Sequence, residues 1–492
     1  MNTGILSFVI IIVYLLVLLL IALRGSRSAA VKTVEGFFLA GRGVSAVLLP
    51  LTMIAALQST FAFLGGPGMF YLHGIGFIVI VLSQVWVALM VLYFGHRIWL
   101  LGKKYGYLTI GDFFADRYNS RFLKVVTSLV SILMTVVFLA MQYVGSAHAI
   151  SGVAQGSVSY TLALIVIAVF SVIYVAVGGA HSVVLTDAIQ AVVLLITIAA
   201  AAAVALIPTG GLAGLFHRVI DLNPKLLARP GAAGLYTDKV WLMQFIVLPF
   251  GIWLTPHVWV RSLMAKDETA IARSALGIPV SQIVIFATSG LFLGLAGQVL
   301  LGKIPAPDKV VPLLLVKYSS WWLAALIMAG SIAAGVSTIN SMILVIAQMF
   351  SQDLMVPMLR RKLTEAENLK LSRLVTVAVV IVSALIALRP PQSLVQVVID
   401  VAYTGLAQLA PGFLAGLYWR RANRPGTTAG LLAGLAILFY TRIAGVSPLG
   451  YPGFLWAFFT NLILTLVVPL FTAPPARVTV ERIHGYLAQI GE

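Results

Sequence analysis

The sequence predicts an all-α polytopic membrane protein of about thirteen transmembrane helices, on the strength of three observations. Hydrophobic residues make up 61% of the 492 and charged residues only 10%, with a mean hydropathy of +1.04, which a water-soluble globule of this length would not show. Apolar runs of roughly 20 residues, enough to cross about 30 Å of hydrocarbon as helix, recur along the whole chain. Strand-like alternation is absent, so the backbone satisfies its hydrogen bonds within helices and not in a barrel.

Taken in order, the runs lie at about 5–23, 44–71, 75–95, 125–149, 159–177, 184–207, 239–260, 274–301, 320–350, 374–388, 393–418, 426–446 and 453–473. The first, Ile5 to Leu23, has no Lys or Arg before it and Arg24 and Arg27 just after it. A signal peptide shows the reverse pattern, so this is a retained span with the N-terminus outside. The inner connections then hold Arg24, Arg27, Lys32 and Arg42; Arg97, Lys103, Lys104, Arg117, Arg121 and Lys124; Arg261, Lys266 and Arg273; Arg360, Arg361, Lys362, Lys370 and Arg373; Arg420, Arg421 and Arg424; and Arg477 and Arg482. These are most of the 32 basic residues, as the positive-inside rule requires. An odd number of spans leaves the C-terminus cytoplasmic, in the cell (inner) membrane.

The formal charge of +17 does not indicate nucleic acid, because the basic residues are divided among short loops and form no single face or tail. Attraction to anionic lipid headgroups accounts for them, and the bilayer itself is the expected partner. With no cysteine, disulfides and thiolate metal sites are excluded. The longest polar connections, Pro208 to Asp238 and Ser351 to Arg373, are loop-sized and can hold short amphipathic helices. Neither an HExxH helix nor a nucleophile with a suitably spaced base is present, so no enzyme is expected.

Spans two and seven carry helix-breaking residues: Gly65-Gly66-Pro67-Gly68 in the one, and Pro249, Gly251 and Pro256 of PFGIWLTPH in the other. A break frees backbone groups that must be satisfied in a water-lined cavity or by a bound solute. Spans two to six and seven to eleven form two blocks of five, each opening with a broken helix and inserting in opposite orientation. This is the pattern of a transporter built from inverted repeats. It divides the chain into an extra N-terminal helix and loop (1–43), a first repeat (44–207), an extracellular loop (208–238), a second repeat (239–418) and C-terminal helices with a tail (419–492).

In span nine, IAAGVSTINSMIL sets Ala334, Ser337, Thr338 and Ser341 at i, i+3, i+4 and i+7, on one helical face. Small hydroxyl residues in membrane helices serve close packing. Two adjacent hydroxyls with a nearby carbonyl also offer hard oxygen donors to a small cation without any carboxylate. The candidate partners are the carbonyls of Ala55 and Gln58, before the break in span two. Asp187, in GGAHSVVLTDAIQ, stands about one helical turn into the membrane from the inner face.

These stretches meet a family. GGAHSVVLTDAIQ, AAGVSTINS, AALQSTFAFLGGPG and GIWLTPHVWVRSLMAKD together resemble the sodium:solute symporter family, and FFLAGRG and GLYWRRANRPG extend the likeness over nearly the whole chain. The resemblance implies a LeuT-like 5+5 inverted repeat with one extra N-terminal helix, and import of a small organic solute coupled to Na+. It places sodium on the carbonyls of Ala55, Gln58 and Ala334 and the hydroxyls of Ser337 and Thr338. It further implies an auxiliary sodium or ion-exit position at Asp187 with Ser337 and Ser341. Asn340 stands where some relatives have another hydroxyl, and Leu57 where proline-type members carry Asp.

Solute contacts in such a fold come from Ser59, Thr60, Phe61 and Phe63 of span two, Gln142 and Tyr143 of span four, and Trp253, Thr255 and His257 of span seven. An imidazole in water titrates near neutrality, which makes His257 a candidate for holding a carboxylate. Arg261 closes span seven and reads as a snorkelling anchor. Asp400, inside span eleven, has no assigned role beyond a structural pair. The motif wording is closest to the carboxylate branches, those for monocarboxylates, pantothenate and proline. Coupling to protons through Asp187 or His257 is the first alternative and a transporter-like membrane sensor the second. No obligatory protein partner is expected.

Overall fold

A computed structural model describes residues 2–25, 33–359, 363–391 and 393–491. Arg27, Lys32, Arg360, Arg361 and Lys362, assigned above to inner connections, lie outside the described residues. Among the described residues the chain is 85% helix with no strand. The helices that position the site are α1 (Thr3–Gly25), α2 (Leu48–Leu57), α3 (Gly66–His73), α4 (Val79–Met90), α5 (Arg121–Val153) and α6 (Tyr160–Leu206) in the first half. They are followed by α7 (Asp238–Trp253), α8 (Pro256–Met264), α9 (Glu268–Gln282), α10 (Leu291–Leu301), α11 (Trp321–Met349) and α12 (Glu365–Ala387). The apolar run Leu394–Tyr418 (α13), Arg424–Ala444 (α14) and Gly453–Phe471 (α15) complete the bundle.

By length and apolarity ten helices among the described residues are able to cross a membrane, or eleven when the bent pair α7 and α8 is taken as one span. The sequence expectation of about thirteen is not reached by this measure. Phe61–Tyr105 forms a single 45-residue run holding parts of two expected spans, turned at Gly74, whose φ is 57°. Leu48–Leu57 and Tyr160–Ala176 are apolar but shorter than 18 residues. The expected inner loop Ser351 to Arg373 also shrinks, because helix continues to Met358 and resumes at Glu365 behind a Thr364–Glu367 capping box.

Helix α11 is the axis of the molecule: 83% of its most apolar window is buried, against 28% for α1 at the periphery. Its small residues explain this, since they let neighbouring backbones approach closely. A side chain at Gly335 would reach within 2.3 Å of Ser146 Oγ on α5 and 2.7 Å of Thr60 Cγ2. Helix α6 turns back on itself at Gly179, where φ is 56° and ψ −168°, a conformation that favours glycine. From that turn to Asp187 the helix rises about 12 Å.

Both broken spans are broken, one of them not where the sequence suggests. Helix α2 ends at Gln58, which is extended (φ −102°, ψ 120°), and helix resumes through a π-turn at Phe61–Gly65 into α3. Gly65 to Gly68 remain helical: the helix is continuous from Phe61, and Pro67 follows directly on the widened π-turn Phe61–Gly65. Ala55 and Gln58 are therefore at the break itself. The second break falls at Leu254–Thr255, and α8 leaves α7 at 55°. The ends of the two broken spans are tied on one face: Val44 N–H donates to Met264 O and Lys266 N–H to Val44 O, each at 3.0 Å.

Candidate functional site

Because α2 stops at Gln58, its last carbonyls lose their in-helix donors. Helix α11 meets them with its hydroxyl face. Ser337 Oγ lies 3.2 Å from Ala55 O and 2.9 Å from Ala334 O. Thr338 Oγ1 lies 3.4 Å from Ala55 O, 3.3 Å from Gln58 O and 3.0 Å from Ala334 O. All five residues named for sodium are thus brought together. Two hydroxyls have two protons to give and three carbonyls surround them, a nest richer in acceptors than in donors. The cross-helix oxygens stand 3.2 to 3.4 Å apart, the edge of an octahedron about 2.3 to 2.4 Å from centre to oxygen. The donor set fits a small hard cation.

Asp187 sits in a second cluster, drawn from four helices. Its Oδ2 accepts from Thr52 Oγ1 at 2.8 Å and from Arg261 Nη2 at 2.7 Å, with Ser341 Oγ 3.5 Å away. Arg261 also donates from Nε to Thr52 Oγ1 at 3.1 Å, from Nη2 to Ser341 Oγ at 2.8 Å and from Nη1 to His257 O. Arg261 is therefore no snorkelling anchor: at 2% exposure it points inward, because α8 is wedged between α2 and α11. The expected grouping holds for Asp187 and Ser341, whereas Ser337 turns to the carbonyl nest. Asn340 is buried, and its Oδ1 has no partner among the described residues.

The nine solute candidates are each 4% exposed or less, so the site is closed to both faces. Gln142 Oε1 accepts from the Thr60 amide at 3.1 Å and from its hydroxyl at 2.8 Å, joining α5 to the break. Ser59 Oγ accepts from the Phe61 amide at 3.1 Å, which shapes the turn. Phe61 meets Tyr403 of α13 edge-on, and Phe138 of α5 meets both Tyr403 and His257. His257 Nε2 lies 3.2 Å from Ala56 O, so it bridges the two breaks. Phe63 and Tyr143 are fully buried. Two candidates turn elsewhere: the Thr255 hydroxyl donates back to Gly251 O at 3.0 Å, and Trp253 packs on Phe94 and Phe413.

Two glutamines escaped the sequence reading. Gln58, used above only for its carbonyl, has a fully buried side chain whose Oε1 and Nε2 have no partner among the described residues. Gln282 on α9 is in the same state. A Cβ on Gly277 would touch Ile54 and one on Gly66 would touch Phe286, so Gln282 falls alongside the break. A lone amide inside the apolar run SQIVIF was the available signal, because unpaired polar groups are costly in a membrane.

A loop closes the site at the end away from the Val44–Ala265 bridge. Asp308 Oδ2 accepts from the Leu394 amide at the start of α13 at 3.1 Å, and Gly68 of α3 leaves no room for a side chain under Pro307. Burial pushes the Asp308 carboxyl up to about 6, with the Leu394 bond pulling weakly the other way.

Residues 37–434 match the profile of the sodium:solute symporter family. The chain is 29% identical to a sodium/pantothenate symporter of Haemophilus influenzae over 88% of this chain and 90% of the relative. It is 27% identical to a sodium/pantothenate symporter of Escherichia coli (95% and 97% covered) and 25% identical to the osmoregulated proline transporter OpuE of Bacillus subtilis (97% of each). Among solved structures it is similar to a Na+-coupled sialic acid symporter in a substrate-bound outward-open state, with TM-score 0.80 at 17% identity over 96% of this chain and 98% of that one. A nucleobase-cation-symport-1 family transporter in a closed conformation follows at TM-score 0.59 and 14% identity, with 92% and 98% covered. The fold is thus the LeuT-type arrangement of ion-coupled transporters, entered here by one extra helix. A carboxylate-free nest of oxygens at a helix break, within a match that spans most of the sequence, makes this chain a member of the sodium:solute symporter family, an integral membrane protein that couples solute import to sodium.

Proposed function

We propose that the solute is a small carboxylate-bearing molecule, of monocarboxylate, pantothenate or proline type, held beside sodium at the break in α2. One observation carries this: the buried Gln58 and Gln282 amides have no partners among the described residues. A buried carboxylate needs such donors and a neighbouring positive charge. Sodium on Ala55, Gln58, Ala334, Ser337 and Thr338 supplies that charge. Pantothenate and proline, which the relatives' names carry, are both carboxylates.

In this reading, sodium binds better to one of two conformations and the solute binds to the state that sodium favours. The two inverted repeats, 44–207 and 239–418, move against each other about the site. The N-terminus lies outside and the C-terminus in the cytoplasm of the cell membrane, as the basic loops favour. Asp187 and Ser341 form the auxiliary ion or exit position. In the closed state the Arg261 guanidinium occupies Asp187, so an ion reaching that carboxylate must displace it.

The test is uptake of labelled pantothenate, proline, pyruvate and a hexose into proteoliposomes under imposed gradients. Sodium-driven accumulation of one of the carboxylates, shifted to higher sodium concentrations in Ser337→Ala, is expected. Accumulation driven by a pH gradient in sodium-free medium would replace this mechanism with proton coupling. A sodium-driven sugar but no carboxylate would overturn the substrate class alone.

A further inference from the structure

His257 links the two breaks, and the bond on one of its ring nitrogens decides what the other can hold. It is the second residue of α8, after Thr255 and Pro256, so its side chain leaves from the first turn beyond the second break. Nε2 lies 3.2 Å from Ala56 O, in the stretch of α2 whose neighbouring carbonyls, Ala55 and Gln58, face the hydroxyls of α11. A carbonyl oxygen only accepts, so a neutral imidazole, the ordinary form at pH 7.5, carries its proton on Nε2. Nδ1 is thereby left as a lone-pair acceptor. The side chain is 1% exposed, and Nδ1 has no partner among the described residues. Phe138 of α5, which meets the ring edge-on, has no polar donor to give.

We infer that His257 Nδ1 accepts a hydrogen bond from the solute, which makes His257 a specificity residue: the site takes carboxylates that also carry an N–H or O–H group and rejects those with acceptors alone. The inference rests on the carboxylate reading above. It reverses the part expected of this side chain, which receives the solute's donor and does not hold its carboxylate. Gln58 and Gln282 cannot make the same selection. Each amide offers a donor and an acceptor, and half a turn about its last bond exchanges them, so either kind of solute group is served. The ring lacks that freedom while Ala56 O holds Nε2.

The consequence is a division among the three solute types. Proline carries N–H and pantothenate both N–H and O–H, whereas pyruvate has only acceptors. Pyruvate would leave Nδ1 buried and unpaired. A site built to make such a bond discriminates against the analogue lacking it far more strongly than a pocket that only fits its shape. Among monocarboxylates the same rule favours lactate over pyruvate. Because the ring also holds Ala56 O, a solute on Nδ1 bears on the turn of α2 that supplies the sodium nest.

The test is equilibrium binding to the full chain in nanodiscs, at saturating sodium and pH 7.5, with two matched pairs and pantothenate. The pairs are L-proline against tetrahydrofuran-2-carboxylate, whose ring oxygen replaces the N–H, and L-lactate against pyruvate. In a pair that binds, the member with the donor is expected to bind at least about tenfold more tightly. His257→Gln keeps an N–H for Ala56 O but places no acceptor where Nδ1 stands. It should bring the two members within about threefold of each other and weaken pantothenate at least about tenfold. His257→Asn, which returns an acceptor to that place, should restore the preference. The ratio within a pair cancels general damage to the site, and should the variants fail to fold, the wild-type ratios decide. Equal binding within a pair, or a preference or pantothenate affinity that His257→Gln leaves unchanged, overturns the inference and leaves the carboxylate reading standing. Prolinamide or lactamide binding as tightly as its parent acid overturns the carboxylate reading, while the pairs still judge His257. Binding of none of the five probes overturns both.

Discussion

Arg261 and Asp187 approach to 2.7 Å with side chains only 3% and 1% exposed, and they link α8 to α6 through a bond that also reaches Thr52 and Ser341. Removing one member of such a pair strands a buried charge, at a cost of about 3 to 5 kcal/mol. Arg261→Gln and Asp187→Asn are each expected to lower the thermal stability of the purified protein strongly. The double variant should recover much of the loss, and thermal unfolding of all four forms measures the coupling. Additive losses would show that the two groups do not depend on each other.

Ser337 and Thr338 supply the two side-chain oxygens of the carbonyl nest. Ser337→Ala and Thr338→Ala should each raise the sodium concentration for half-maximal uptake at least about tenfold, a loss of roughly 1.4 kcal/mol or more. Sodium titration of uptake at saturating solute reads the effect. An unchanged half-saturation point would remove these hydroxyls from the ion site.

Gln142 holds both the amide and the hydroxyl of Thr60. Gln142→Leu leaves two buried donors without an acceptor and should destabilise by about 1 to 3 kcal/mol. Gln142→Glu keeps an acceptor in place and should retain stability while opposing an anionic solute. A pair of KM measurements separates the two effects: a raised KM is expected for the Glu variant with the carboxylate and an unchanged one with a neutral analogue.

Asp308 gives the loop over α3 a dependence on acidity. Burial raises its pKa from 3.8 to about 6, so the folded state holds the proton more tightly than the unfolded chain. Its contribution to stability is fully present below the unfolded value and is lost as pH rises through about 6, a span on the order of 3 kcal/mol. Asp308→Asn, which stays neutral and can still accept from Leu394, should be more stable than wild type at pH 7.5 and close to it at pH 4. Melting curves at the two pH values test this, and a constant difference between them would refute it.

Gly251 admits no side chain, because a Cβ would lie 2.0 Å from Tyr403 O. Gly251→Ala must push α7 from α13 and is expected to abolish uptake even where the protein still inserts. Insertion and uptake are measured in the same vesicles, and normal uptake would show that the contact yields at little cost.

How far the sequence could be read depended on whether the informative feature was local. Hydroxyls at i, i+3 and i+4 around Ser337 lie on one face of any helix, so the ion nest followed from spacing and resemblance together. Glycine and proline in PFGIWLTPH likewise marked the second break within a few residues of Leu254. The first break is misplaced because Pro67 is accommodated behind the π-turn Phe61–Gly65, while Gln58, an ordinary residue for a helix, is the one that leaves it. Arg261 was misread for a different reason. Its position at the end of an apolar run is that of an anchor, and its partner stands 74 positions away on another helix. Gln282 offered only a lone amide in an apolar run, and its neighbourhood to the break follows from the contacts at Gly277 and Gly66, which no local pattern shows.

The pairing of Arg261 with Asp187 has an electrical consequence. With one full positive and one full negative charge 2.7 Å apart, that cluster carries no net charge when no ion is bound. A membrane potential does work on net charge moved across it, about 2.3 kcal/mol per elementary charge per 100 mV, and so does none on this neutral cluster. Under the sodium coupling proposed above, a return step that keeps this pair intact moves no charge here, and the force of the potential falls on the steps that carry sodium inward.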